Sequence, residues 1–218
     1  MKKIQSLINR LPLKLQQKLI ANAVDTTIRQ FFPEKFSGLC HVYAIVGSNV
    51  LSITLNRNFI PVAGIAIIDA GGGQRLEMLD DMGFRKEKGG AYHCWIESAD
   101  TEETVLIDFT FRHKAAYAVS HGIKWRKKKI SYLWGVKKDL HIDLTQHTLP
   151  KTFPDEKIWV KKCKNGTDFL EQQISDYLSA YVKLTSFALK RLTLELEEYL
   201  EKNKQKQNAV RLDISKMH

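Results

Sequence analysis

Three residues in this sequence have the types and the order to build a nucleophilic site. Cys40 stands in the stretch FSGLCHVYA, residues 36–44, where small residues lead into an apolar run of helical character. The unpaired N–H groups and the dipole of a helix start favour an anion, and the thiolate is the reactive form of cysteine. His93 lies in a strand-like run, AYHCWIES, and Asp108 in the next one, TVLIDFTF. Neighbouring strands bring side chains on one face into contact. A carboxylate behind an imidazole fixes its tautomer and orientation. The imidazole then takes the thiol proton and later hands a proton to the leaving group. Such a set is what an activated thiol nucleophile needs.

Each residue alone has a plainer explanation. A lone cysteine in an apolar helix is usually a buried small hydrophobe, and it is the presence of His93 and Asp108 in order that argues for a nucleophile. Cys40-His41 and His93-Cys94 also offer ligand types that zinc accepts. However, adjacent residues of a strand point to opposite faces, and there is no Cys-x-x-Cys pair. No metal and no cofactor are therefore expected. Three cysteines do not make a disulfide scaffold, and the count suits a reducing compartment.

The elements that must position these residues read as follows. Residues 4 to 32 show helical spacing, with Pro12 opening a second segment. A further helix begins near Ser37 or Gly38, with Ser37 as its N-cap, and runs to about Leu55. VAGIAIIDA (62–70) is a short β-branched strand that GGG (71–73) ends as a flexible turn, lacking the Lys-Ser/Thr that a phosphate loop needs. Residues 91–98 and 104–111 form an antiparallel hairpin. Between 112 and 165 the pattern is weak, with a loop at TLPKTFPDEK and a short strand at IWV. Helical spacing returns over 168–202, and the tail reads as frayed. The order points to an α+β fold, with N-terminal helices and a Cys-bearing helix packed on an antiparallel sheet. Residues 1–165 form the core and 166–218 a helical extension packed on it.

The chain carries a formal net charge of +10, from 34 basic and 24 acidic residues. That favours acidic partners and says nothing of fold. KWRKKK, residues 124–129, could hold phosphate backbones with Trp125 stacked on a base, or be a solvated loop, or line the acidic-substrate side of a cleft. Trp95, Lys127 and Lys128 are expected to contact substrate. The N-terminal stretch is broken by Lys14, Gln16, Gln17 and Lys18, so it reads as an amphipathic helix and not a signal peptide. No run approaches the length of a spanning helix. A cytoplasmic protein without a membrane partner is expected.

The ordered set of motifs resembles the transglutaminase-like core of the papain-like cysteine enzymes. Gly38, Cys40 and Ala44 match its first motif, and Asn58-Phe59-Ile60-Pro61-Val62-Ala63 its turn into a strand. His93-Cys94-Trp95-Ile96-Glu97 matches its His-Ala-Trp motif, and Ile107-Asp108-Phe109-Thr110 its Asp motif. The likeness covers residues 36 to 111. Phe109 replaces the usual Pro and Cys94 the usual Ala. The papain-type oxyanion glutamine, six residues before the cysteine, is replaced by Glu34, and Gln30 is the substitute farther back. The resemblance implies a cysteine peptidase, amidase, transglutaminase or acyltransferase. Cys40 would be the nucleophile, His93 the general base and acid, and Asp108 the orienter. The substrate would be a peptide, a protein or a small amide, with water as the default acceptor. The other reading is a non-catalytic basic module on the same fold that binds nucleic acid or an acidic peptide.

Overall fold

The structure is a computed structural model that describes residues 2–86, 90–99, 102–142 and 150–215, and their side chains from residue 4 to residue 204. Helices α1 (Lys2–Ile8), α2 (Leu13–Phe31) and α3 (Cys40–Leu55) precede β1 (Phe59–Gly71), β2 (Gln74–Met78), β3 (His93–Ser98) and β4 (Val105–Asp108). They are followed by α4 (Lys114–Ser120), β5 (Leu133–Val136), α5 (Lys137–Leu140), β6 (Trp159–Lys162), α6 (Lys164–Asp176) and α7 (Leu178–Ser215). The fold is α+β, with a sheet whose strands pair antiparallel.

α3 is the central helix. It is apolar nearly all round, and Val42, Tyr43, Ile45, Val46, Val50 and Leu51 are all buried, as suits a helix enclosed by its neighbours. It begins at Cys40, after a 3-10 turn over Phe36–Gly38, and Leu39 holds the cap position without a side-chain bond. The expected Ser37 cap does not form, because Ser37 lies within that 3-10 turn. Asn56, with φ at 51°, takes the left-handed conformation that ends the helix and turns the chain into β1.

β1 organises the sheet. Ala66 and Ile67 pair with both β2 and β6, while Gly64 pairs with both β3 and β6. A residue has two edges, so β6 occupies one edge of β1, and β3 and β2 share the other in succession. The chain leaves that shared edge after Met78 and returns at His93. Gly64 is required at the crossing point, because a Cβ there would lie 2.1 Å from the Lys161 carbonyl oxygen.

Strand alternation gives the sheet two apolar faces. Ala63, Cys94, Ile96, Ile107 and Phe109 pack with residues of α2, α3 and α7. Val62, Ala66, Ile68, Trp95, Leu106 and Leu133 form a second cluster with Phe111, Ile158 and Val160. The C-terminal helices belong to the first cluster, to which α6 gives Leu170 and α7 gives Tyr181, Leu184, Ala188, Leu192 and Leu196. Among the described residues no helix is long and apolar enough to cross a membrane.

Candidate active site

The thiol, the imidazole and the carboxylate arrive from three directions. Cys40 is the first residue of α3, so its backbone N–H is among those with no partner inside the helix. His93 is the first residue of β3 and Asp108 the last of β4. The β3–β4 register pairs Ile96 with Ile107 and Glu97 with Leu106. Extended, it sets Asp108 across from Trp95, so His93 reaches the carboxylate along the diagonal. His93 Nε2 and Asp108 Oδ2 are 2.9 Å apart, with 0% and 1% of the two side chains exposed. The other carboxylate oxygen accepts from the Thr110 N–H at 2.8 Å and the Thr110 hydroxyl at 2.6 Å. Nε2 therefore carries the proton toward Asp108, and Nδ1 is the nitrogen left to exchange one.

The surroundings favour charge separation. Burial alone would raise the Asp108 carboxyl. The charge and hydrogen bond of His93, then Lys114 and Thr110, hold it far below the usual carboxylate range. Burial and the Lys114 ammonium push His93 toward its neutral form, yet Asp108 and the hydrogen bond with Cys40 outweigh them and its pKa is raised. The Cys40 thiol is held well below the ordinary range, first by a hydrogen bond with Cys94, against burial, and then by His41 and His93. Cys94 is pushed up by burial and by Cys40. Ionisation is thereby favoured at Cys40, which stands at the helix start, over Cys94.

Lys114 is the cavity residue that sequence reasoning missed. It opens α4 six residues after Asp108, is 5% exposed, and places its Nζ 3.2 Å from His93 Nδ1. Together with Cys40, Ser37, Gly38, Met78 and Tyr92 it lines a cavity of about 160 Å³. The tell-tale in the sequence was the basic Arg112-His113-Lys114 run directly behind the Asp motif.

The preceding residue anchors this side of the site. Asp25 of α2 accepts from Tyr43 of α3 at 2.8 Å, from His113 Nε2 at 2.7 Å and from Arg112 at 3.0 Å. Burial would raise the Asp25 carboxyl, but His113, Arg112 and Tyr43 bring it below its usual value. This network ties the turn after Cys40 to the start of α4.

The other expected site residues lie elsewhere. Gln30 is on the exposed end of α2, 3.5 Å from an Arg191 donor, in a different cavity from Cys40. It does not line the wall around Cys40, where an oxyanion donor would have to stand. Trp95 is 1% exposed. Its ring stacks 6.2 Å from His93 and its Nε1 donates to Glu97 at 2.7 Å, so it supports the imidazole from within the core and does not face substrate. Lys127 is a structural clamp, 3.3 Å from buried Asp69 and bonded to the Phe153 carbonyl. Trp125 packs against the second apolar cluster, where it is not free to stack on a base. Lys128 lies with Lys14, Lys18 and Lys129 along a separate cavity of about 410 Å³.

No known protein family and no curated protein matches this chain. A solved crystal structure of a structural-genomics target is similar to it, with a TM-score of 0.51 and 14% sequence identity over 78% of this chain and 75% of that one. At that identity the likeness concerns fold alone.

Proposed function

We propose that this protein is a cysteine-dependent acyl-transfer enzyme of transglutaminase-like or papain-like type, hydrolysing an amide or peptide bond. The observation that carries the reading is the buried His93–Asp108 pair beside a thiol at a helix start. Such a pair, with one imidazole nitrogen committed to the carboxylate, is the arrangement a thiol nucleophile needs.

In this reading Cys40 gives its proton to His93 Nδ1, and the thiolate attacks the carbonyl carbon. A C–S bond forms and the carbonyl pair moves to oxygen, facing the free N–H of Cys40. Collapse breaks the C–N bond, and the amine leaves with the proton from Nδ1. Water then gives a proton to Nδ1 as its oxygen attacks the thioester. The C–S bond breaks, the acid leaves and Cys40 recovers its proton. Asp108 keeps its charge throughout and holds the imidazole in place.

The test is alkylation by iodoacetamide near pH 7. Cys40 reacts faster than half-buried Cys163, and His93→Ala slows Cys40 without slowing Cys163. Equal labelling of the thiols, unchanged by His93→Ala, would sink the proposal.

The second reading, a basic binding module, rests on the four lysines around the separate cavity. It predicts salt-dependent binding of nucleic acid, weakened when Lys128 and Lys129 are both replaced. Binding indifferent to salt would rule it out.

A further inference from the structure

Lys114 is an unusual occupant for the floor of a reaction cavity. A buried ammonium is costly unless a counter-charge faces it. Its hydrogen-bond neighbours are His93 Nδ1 at 3.2 Å and, at 4.0 Å, the thioether of Met78. Among the described residues no carboxylate comes within ion-pair distance of Nζ. Asp108 is spent on the far side of the imidazole, on Nε2 and Thr110. Lys114 thus presents its charge to the cavity it shares with Cys40, with no carboxylate of the described residues in direct contact. That cavity, about 160 Å³, has room for roughly five waters, enough for a short side chain and its head group. The rest of its wall, Ser37, Gly38, Met78, Gly90, Tyr92 and Tyr117, adds no other charge.

We propose that Lys114 makes the Cys40 cleft selective for an anionic acyl substrate, one carrying a carboxylate beside the carbon that Cys40 attacks. The inference rests on the acyl-transfer reading and names its substrate class. The carboxylate recognises Lys114 Nζ, draws the ammonium off His93 Nδ1, and frees that nitrogen to accept the thiol proton.

The charge preference is readable without the natural substrate. Iodoacetate and iodoacetamide deliver the same electrophilic carbon with and without a carboxylate. Their rates at Cys40, measured by mass spectrometry, are referred to the same ratio for the neutral thiol 2-mercaptoethanol. The expected iodoacetate preference is about tenfold or more, because opposite charges a few ångström apart in a partly dry site attract strongly. Lys114→Met removes the preference and Lys114→Arg keeps it. A wild-type ratio equal to that of 2-mercaptoethanol overturns the proposal, whatever the variants do, and so does a preference that survives in folded Lys114→Met. Two further arms locate the carboxylate. Protection of Cys40 by succinamate assigns it to a small amide, protection by an N-acetylated glutamate-containing peptide assigns it to a polypeptide, and protection by neither overturns the assignment. Failure here is distinct from failure of the underlying reading. If His93→Ala slows Cys40 but the ratio stays at the reference value, Lys114 is wrongly assigned while the acyl-transfer reading stands. If His93→Ala has no effect, the acyl-transfer reading itself falls.

Discussion

Asp108→Asn is the change whose consequences the geometry defines most fully. The Thr110 N–H and hydroxyl both donate to one oxygen of the group, at 2.8 and 2.6 Å. The Asn carbonyl must stay there, which turns its NH₂ toward His93 Nε2. Nε2 then has to accept, and the ring proton moves to Nδ1. Nδ1–H in turn faces the Lys114 ammonium across 3.2 Å, donor against donor. The imidazole loses its orienter, its basic nitrogen and its compatibility with Lys114 together. Breaking a buried pair by removing one charge costs about 3–5 kcal/mol, and both partners here are essentially unexposed. Cys40 loses the share of its help that comes from the imidazole, keeping that of Cys94 and His41, and moves toward an ordinary thiol, which at pKa ~8.5 is about 3% ionised at pH 7. The ceiling on the loss in alkylation rate is about 30-fold, and the higher intrinsic nucleophilicity of the more basic thiolate trims it to roughly tenfold. Urea unfolding gives the first quantity and iodoacetamide kinetics at Cys40 the second. An Asp108→Asn protein with wild-type stability and wild-type Cys40 kinetics would refute the tautomer argument from end to end.

Two further changes probe the scaffold. Asp25 has a depressed pKa in the fold, so its contribution is present above the unfolded value of ~3.9 and is lost as pH falls through the folded one. Wild-type stability therefore drops on acidification from about pH 5, while Asp25→Ala, already weaker by about 2–4 kcal/mol because Tyr43, His113 and Arg112 lose the buried acceptor they share, shows a shallower fall; parallel pH curves would contradict this. Gly64→Ala puts a methyl 2.1 Å from the Lys161 carbonyl oxygen, where backbone has to move, and should lower unfolding stability by at least about 2 kcal/mol; an unchanged urea midpoint would show that β6 shifts freely.

Much of this arrangement was legible because local signals and tertiary need agree. β-branched residues mark β1 and the β3–β4 hairpin, and an apolar run marks α3. Cys40, His93 and Asp108 sit at the ends of those elements, where their order in the chain already brings them near one another. β2 was less visible, since Gln74, Arg75 and Glu77 are polar; Leu76 and Met78, its two inward residues, are too few to set a period. Gln30 was misplaced because its distance from Cys40 along the chain does not say which face of α2 it occupies. Lys114 and the Asp25 network escaped for a physical reason. The network joins residues 18, 70 and 88 positions apart, and no periodicity encodes a contact of that range.

The shared edge of β1 has a bearing on how such a protein changes its habits over generations. β2 and β3 follow one another along that edge, and residues 79–86 and 90–92, between Met78 and His93, belong to neither strand. This stretch brings Gly90 and Tyr92 to the wall of the Cys40 cavity. Phe84 and Tyr92 stack there at 4.0 Å against the first apolar cluster, and Gly83 and Gly90 approach too closely for a side chain at either. The wall of that cavity is thus shared between this stretch and residues beside the reacting groups themselves, Ser37 and Gly38 before Cys40 and Lys114 behind Asp108. A lineage that exchanged one diet for another would have to rewrite Lys114 or the wall around Gly90 and Tyr92, and the close approach of Gly83 to Gly90 narrows the second route.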